Sequence, residues 1–390
     1  MPAINRIADF AADMAAWRHD LHAHPETAFE ERRTGEIVAR LLESFGIAVE
    51  RGLAKTGVVG TLAGERPGGP AIALRADMDA LHIHEKNGFT HVSTNPGRMH
   101  ACGHDGHTAM LLGAARYLSE TRNFAGTVHF IFQPAEENEG GARVMIEEGV
   151  LARYPFRAIY GMHNWPGLPA GQFAIRPGPM MAAFDIFEIA VHGRGAHAAM
   201  PHLGVDPVVA AAQIVGGLQT IASRTVNPLT GLVISVTQIH GGDTWNVIPD
   251  EVVLRGTTRS FDPAVRDMLE PAIRRIAEGV GAALGATIEM RYERRYPPTV
   301  NSPAETEIAA ATAAALVGPD NVRRDLLPSM GAEDFAWFLE QKPGAYIWIG
   351  NGADQAMLHN PHYDFNDEIL PLGASYWARL VETVLAKPSG

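Results

Sequence analysis

Two kinds of apolar pattern alternate along the first half of the chain. Residues 5–23 and 30–45 place their apolar positions at helical intervals, and Gly46 is positioned to cap the second helix. AIALRA at 71–76 is a short continuous apolar run, which predicts a buried strand. Helical spacing returns over 106–120 (GHTAMLLGAARYLSE). The β-branched and aromatic run TVHFIFQ at 127–133 predicts a strand that Pro134 stops. A short helix over 141–149 and the strand RAIYGMH at 157–163 follow. Strands alternating with helices predict a largely parallel sheet covered by helices.

Near residue 183 the pattern changes. FDIFEIAVHG (184–193) reads as a strand, 206–224 as a helix, and GLVISVTQIHG (231–241) and EVVLRGTTRSF (251–261) as two strands. A helix over 263–285 and the strand ATIEMRYER (286–294) complete the order β-α-β-β-α-β, the ferredoxin-like unit. After Tyr296-Pro297-Pro298, helices and the strand AYIWIG (345–350) resume the earlier style. The expected fold class is α/β, a mostly parallel sheet flanked by helices, with an inserted ferredoxin-like α+β domain. The larger domain is expected to be discontinuous, 1–182 and 296–390, and the insert to span 183–295.

Length and charge narrow the function classes. A chain of 390 residues is long enough for two or three domains, each with its own core. The formal net charge of −12 disfavours nucleic acid and anionic membranes as partners. The densest basic cluster, Arg291 to Arg295, is interrupted by a Glu and a Tyr. Cys102 is the only cysteine, so no disulfide forms within the chain, which fits a reducing compartment. The amphipathic N-terminus lacks the apolar core of a signal peptide, and no stretch approaches the ~18 apolar residues of a membrane span. A soluble cytoplasmic protein is expected.

Chemistry gathers where strands end. After AIALRA come Asp77 and Asp79; the loop MHACGHDGH then supplies Cys102 and His104, with His107 on the incoming helix. Glu136 and Glu137 follow TVHFIFQ, His163 follows RAIYGM, and a loop after AYIWIG reaches His359. Ligand sites of open α/β sheets lie at this carboxyl edge. Thiolate, imidazole and carboxylate together suit Zn²⁺; carboxylate and imidazole also suit Mn²⁺ or Co²⁺. Cys102, His104, Glu137, His163 and His359 exceed the needs of one tetrahedral site, whereas two metals sharing a bridging ligand would use all five. Glu136, beside Glu137, is placed to act as a base on water. Asp79 and His107 read as groups that orient ligands. The spacings match no short zinc signature: there is no HExxH and no CxxC pair. Two other readings fit these residues. One is a thiol hydrolase with Cys102 as nucleophile. The other is a non-catalytic metal- or ligand-binding protein, against which the presence of Glu136 counts.

Seven motifs then carry a resemblance. MHACGHDGHTAML (99–111), QPAEENEGGA (133–142), YGMHNWP (160–166), GRGAHAAMPHLGVDP (193–207), NVIPD (246–250), GAEDF (331–335) and LHNPHYDFN (358–366) resemble the amidohydrolase branch of the aminoacylase and carboxypeptidase-G metallopeptidase family. LHAHPETAFEE (21–31) and RADMDAL (75–81) are similar to its N-terminal signatures. The resemblance implies a metal-bearing catalytic domain and an inserted lid domain that often dimerises, with a homodimer more expected than a tetramer. It implies two divalent metal ions (Zn, Mn or Co) held by Cys102, His104, Glu137, His163 and His359; the LHNP match selects His359 over His362. It also implies amide hydrolysis of a small N-aroyl or N-acetyl amino acid such as hippurate by a metal-activated water, with Glu136 as general base. His197 of GRGAH corresponds to the histidine that stabilises the oxyanion, which in dimeric relatives can come from the partner subunit. Asn246 and Arg259 stand where relatives place groups near the substrate carboxylate. Met180, Met181, Phe184 and Trp245 are candidates to line an acyl pocket. One local departure is Leu81-His82, where relatives often have Leu-Pro.

Overall fold

The computed structural model describes residues 1–386, the side chain of Pro67 excepted. The chain divides into two compact units. Met1–Met180, Val300–Leu327 and the stretch from Asp334 onward form the first; Met181–Thr299 and Pro328–Glu333 form the second. Residues 328–333, left with the larger domain in the sequence reading, thus group with the insert.

The first unit is built on an eight-stranded sheet. Its order is Ala48–Leu53, Gly57–Ala63, Ala125–Gln133, Arg66–Asp77, Ala158–Pro166, Gly344–Gly352, Phe173–Ala174, Val322–Arg323. The four central strands, from Ala125–Gln133 to Gly344–Gly352, are mutually parallel. The flanks are not: the hairpin Ala48–Leu53/Gly57–Ala63 is antiparallel, and Phe173–Ala174 runs against Gly344–Gly352. The apolar pattern missed the outermost strand because only Leu53 of Ala48–Leu53 is buried, so it carries no apolar run. By contrast, Ala158–Pro166 and Gly344–Gly352 are buried almost end to end, which is why they read as continuous apolar segments.

Helix Ala11–Ala23 follows a short turn of helix at Asn5–Ala8, so the segment 5–23 breaks at Asp9-Phe10, where Phe10 turns into the core. Helix His104–Thr121 packs against Ala11–Ala23 and Leu370–Val384 and is buried from His104 through Ala115. Side chains such as Phe130, Phe132, Tyr160 and Trp377 are removed from water in this core. Each large apolar side chain of this kind contributes about 1.5–3 kcal/mol.

The second unit has a four-stranded antiparallel sheet in the order Leu232–His240, Glu251–Ser260, Ala183–His192, Thr287–Tyr296. Burial alternates residue by residue along Ala183–His192, as expected for a sheet covered on one face. Phe187, Ile189, Val191 and Leu254 meet the helices Pro207–Thr220 and Pro263–Leu284. Each helix starts with Pro after an Asp whose carboxylate accepts backbone N–H bonds: Asp206 from Val208 and Val209, Asp262 from Ala264. This is the ferredoxin-like β-α-β-β-α-β arrangement. Among the described residues, no helix is long and apolar enough to cross a membrane.

Candidate metal centre

The parallel strands bring the chemistry to one level. Asp77 pairs with Gln133, the last residue of its strand. Arg75 pairs with Gly161, so Asp77 and His163, each two residues further on, share a rung. His163 in turn pairs with Trp348. Beyond this rung lie the loop with Cys102, the start of the helix that opens at His104, the turn with Glu136 and Glu137, and the loop with His359. Donor atoms of Cys102, His104 and His163 lie within 4.8 Å of one another, as do those of Cys102, Glu137 and His359 and those of His104, Glu136 and Glu137. All five sequence-selected ligands and the selected base therefore meet in one cluster. His362 is exposed and stands outside it.

Hydrogen bonds decide which ring nitrogens face the centre. His163 Nδ1 donates to the Asn164 carbonyl at 2.6 Å, so in the neutral ring Nε2 is bare; it stands 3.4 Å from Cys102 Sγ. His104 Nδ1 donates to the Asp79 carbonyl at 2.9 Å and lies 3.2 Å from Asp79 Oδ1, which bares its Nε2 as well. That Nε2 is buried without a hydrogen-bond partner. Glu137 Oε1 is likewise unpartnered; it stands 3.2 Å from His359 Nε2 without hydrogen-bond alignment. An unmet buried polar atom costs about 1–3 kcal/mol. Bare imidazole nitrogens, a thiol and a carboxylate oxygen facing one space are the donor set of a borderline-soft divalent cation, so the residues fit such an ion.

His107 differs. Its Nδ1 is 2.6 Å from Asp77 Oδ1, and its Nε2 accepts the backbone N–H of Asn164 at 2.9 Å. Both nitrogens are engaged, so His107 is a scaffold group. Asp79 Oδ2 accepts the Glu137 backbone N–H at 2.9 Å, so one carboxylate orients both His104 and Glu137. Asp77 is also held by Arg75 Nη1 at 2.6 Å.

Acidic neighbours act on both Cys102 and His104. Burial pushes the Cys102 thiol up, and Glu137, Glu136 and Asp77 push it further, well above the ordinary thiol range. Burial lowers His104, but Asp77, Asp79 and Glu137 outweigh it and raise the imidazole to about 10. The site thus favours positive charge at His104, a demand that a proton or a metal cation meets. A thiol held so far from ionisation is a poor nucleophile, which weakens the thiol-hydrolase reading.

Residues 73–383 match the profile of Peptidase family M20/M25/M40. The chain is 42% identical over 371 residues to the N-acetylcysteine deacetylase of Bacillus subtilis, covering 94% of this chain and 96% of that one. It is 38% identical over 380 residues to the hippurate hydrolase of Campylobacter jejuni, covering 97% and 98%. A Bacillus subtilis structure described as a dinuclear metal binding peptidase of the M20 family superposes with a TM-score of 0.84 at 38% identity, covering 97% and 99%. The chain belongs to this family. It is an M20-family hydrolase, with the α/β unit and inserted α+β unit of its relatives.

The other sequence-selected residues of this M20 hydrolase, Met180 excepted, lie in its second unit. His197 and Val247 pair in a two-stranded ribbon, Ala196–His197 with Val247–Ile248, and the Ala198 N–H donates to the Asn246 carbonyl at 2.9 Å. The ribbon therefore brings His197 and Asn246 together. The Ala199 N–H donates to His197 Nδ1 at 3.1 Å, so in the neutral ring Nε2 carries the proton, on an exposed side chain. Arg259 lies on Glu251–Ser260, its guanidinium 4.1 Å above the Phe184 ring, and has no carboxylate at ion-pair distance among the described residues. Trp245 is fully exposed, whereas Met180 and Met181 are buried.

Sequence reasoning missed several supporting residues. Asn164 Nδ2 donates to the Cys102 carbonyl at 2.6 Å, and Tyr363 OH donates to Asn164 Oδ1 at 2.8 Å, so the pair shapes the Cys102 loop. Asp105 Oδ2 is 2.8 Å from His22 Nδ1, whose Nε2 is 3.1 Å from Glu85. The adjacency of Asn164 to His163 in YGMHNWP was an available signal; the partners of Asp105 were not, because they come from distant segments.

Proposed function

We propose that this M20 hydrolase cleaves the amide bond of N-acyl amino acids, with an N-aroyl or N-acetyl group as in hippurate. The observation that carries the reading is the convergence of two bare imidazole nitrogens, one thiol and two carboxylates on a single space. Cys102, His104, Glu137, His163 and His359 would hold two divalent cations, Zn²⁺, Mn²⁺ or Co²⁺. When bound, the pair supplies polarisation of the acyl carbonyl and a lowered pKa for water.

The chain's own residues supply the rest. Glu136 accepts a proton from the water whose oxygen attacks the acyl carbon, and delivers it to the amine nitrogen as the C–N bond breaks. Asp79 keeps His104 and Glu137 aimed. His197 donates from Nε2 to the oxyanion, either from this chain or from a partner copy. Asn246 and Arg259 receive the carboxylate of the amino acid. Relatives named for N-acetylcysteine deacetylation and hippurate hydrolysis support the acyl-amino-acid class. The single cysteine supports a cytoplasmic site of action. A homodimer through the second unit completes the reading, checked by light scattering on the purified protein.

The test is release of free amino acid from a panel including N-benzoylglycine and N-acetyl-methionine, before chelation, after it, and after metal return. Activity should vanish with the metal and come back with it. Glu136→Gln should keep its metal but lose turnover by about 10²–10⁴-fold. Metal-independent turnover, or a Glu136→Gln variant at wild-type rate, would remove this mechanism.

A further inference from the structure

The segment LHAHPETAFEE gives no group to the candidate metal cluster, yet it touches the chain beside Asp79 and the turn that carries Glu136 and Glu137. The Glu26 carboxylate caps helix Arg32–Ser44, accepting from Arg33 N at 3.1 Å and Thr34 N at 2.8 Å. The Glu26 carbonyl accepts from Ala80 N at 2.8 Å, and Thr27 bridges Ala80. The chain next to Asp79 is thereby fastened to the segment.

Glu31 reaches the other loop. It is fully buried; Oε1 accepts the Ala135 backbone N–H at 2.9 Å and Oε2 accepts the Thr56 hydroxyl at 2.7 Å. Ala135 immediately precedes Glu136 and has φ of +54°, a left-handed conformation that alanine holds only where its surroundings enforce it. Two further bonds fasten the same turn: Gly141 N to the Ala135 carbonyl at 2.8 Å, and Glu137 N to Asp79 Oδ2 at 2.9 Å. Burial, with the nearby charge of Asp79, raises the Glu31 carboxyl to about 7. An acid is kept in a place that disfavours its charge, where two donors converge on it.

We propose that Glu31 is a positioning residue: it holds Ala135 in the left-handed conformation and so aims Glu136 and Glu137 into the metal centre. This rests on the roles given to Glu136 and Glu137 above. Gln at position 31 can still accept from Ala135 N–H and donate its amide to Thr56 Oγ1, because a hydroxyl reverses its role by rotation. Ala can do neither.

The experiment takes the full-length enzyme with Glu31→Ala, Glu31→Gln and the double variant Glu31→Ala/Ala135→Gly. Zn²⁺ or Mn²⁺ is titrated calorimetrically into chelator-stripped protein, and kcat and KM are measured on the best substrate of the panel. Glu31→Ala should lower kcat on the order of 100-fold with KM little changed. Its metal affinity should fall about 10–100-fold, as when an orienting partner of a ligand is lost. Glu31→Gln should restore both. The double variant should recover part of kcat, because glycine adopts the left-handed conformation without strain.

A Glu31→Ala enzyme with a lowered Tm but wild-type metal affinity and wild-type kcat per folded site would overturn the proposal, as would a Glu31→Gln enzyme as impaired as Glu31→Ala. If Glu31→Ala does not fold, Glu31→Leu, which fills similar volume but accepts no bond from Ala135 N–H, takes its place, and unchanged kcat and metal affinity there overturn it equally. A wild-type enzyme silent across the panel would defeat the acyl-amino-acid reading, while the metal titration would still decide the role of Glu31.

Discussion

Gly103→Ala tests whether the loop between Cys102 and His104 is as tightly constrained as its geometry implies. Gly103 has φ of +89°, where an L side chain costs about 1–2 kcal/mol. A Cβ there would stand 2.2 Å from Asn164 Nδ2, 2.5 Å from Tyr363 OH and 2.9 Å from Asn164 Cγ. Asn164 would have to retreat, which breaks its bonds to the Cys102 carbonyl (2.6 Å) and from Tyr363 OH (2.8 Å). Buried groups left without partners cost about 1–3 kcal/mol for each of the two bonds, so with the backbone cost the expected total loss is about 3–8 kcal/mol. Urea unfolding followed by circular dichroism, with chelator present so that metal linkage does not contribute, measures it. Gly97→Ala is the control: φ is +79° and nothing lies within 4 Å of the new Cβ, so only the backbone cost of about 1–2 kcal/mol applies. A Gly103→Ala protein no less stable than Gly97→Ala would refute the reasoning, because the clash would then have no energetic weight.

Two further outcomes follow from the same network. Asp79→Ala leaves His104 only its bond to the residue-79 carbonyl and releases the Glu137 backbone, so metal affinity measured by calorimetry should fall about 10–100-fold; an unchanged affinity would show that neither residue needs this carboxylate. His22, held by Asp105 and Glu85 against the opposing effect of burial, is raised from 6.5 to about 9. The fold therefore binds this proton more tightly than the unfolded chain does. The resulting stabilisation, up to about 3 kcal/mol, is fully present below pH 6.5 and lost as pH rises through 9. Unfolding free energy of the chelator-treated protein should decline across that window, and His22→Gln should flatten the decline; an identical slope in the variant would assign it elsewhere.

How far the sequence could be read depended on how local each signal was. Ala158–Pro166 and Gly344–Gly352 were legible because burial on both faces leaves a continuous apolar run. Ala183–His192 was legible because burial on one face leaves an alternating one. The exposed strand Ala48–Leu53 leaves neither, and the antiparallel flank it forms was not foreseen. The candidate metal cluster was visible because each donor lies in the carboxyl half of a strand or in the chain beyond it. The groups that aim the donors were not, since Glu31 acts on Ala135, 104 residues away, and Tyr363 on Asn164, 199 away. The physical difference between His104 and His107 lies in which ring nitrogen a distant carbonyl, carboxylate or amide occupies.

The position of Gly344–Gly352 has a consequence for biosynthesis. This strand lies inside the sheet, between Ala158–Pro166 and Phe173–Ala174, yet the ribosome makes it after the entire second unit. Until it emerges, the growing chain presents the edge of Ala158–Pro166 unpaired, an apolar template for pairing with other nascent chains. The insert, whose sheet partners all lie within Met181–Thr299, can close on itself in the meantime. The waiting strand is the one that carries His163, so the proposed metal centre stays incomplete until Gly344–Gly352 and then His359 have left the ribosome.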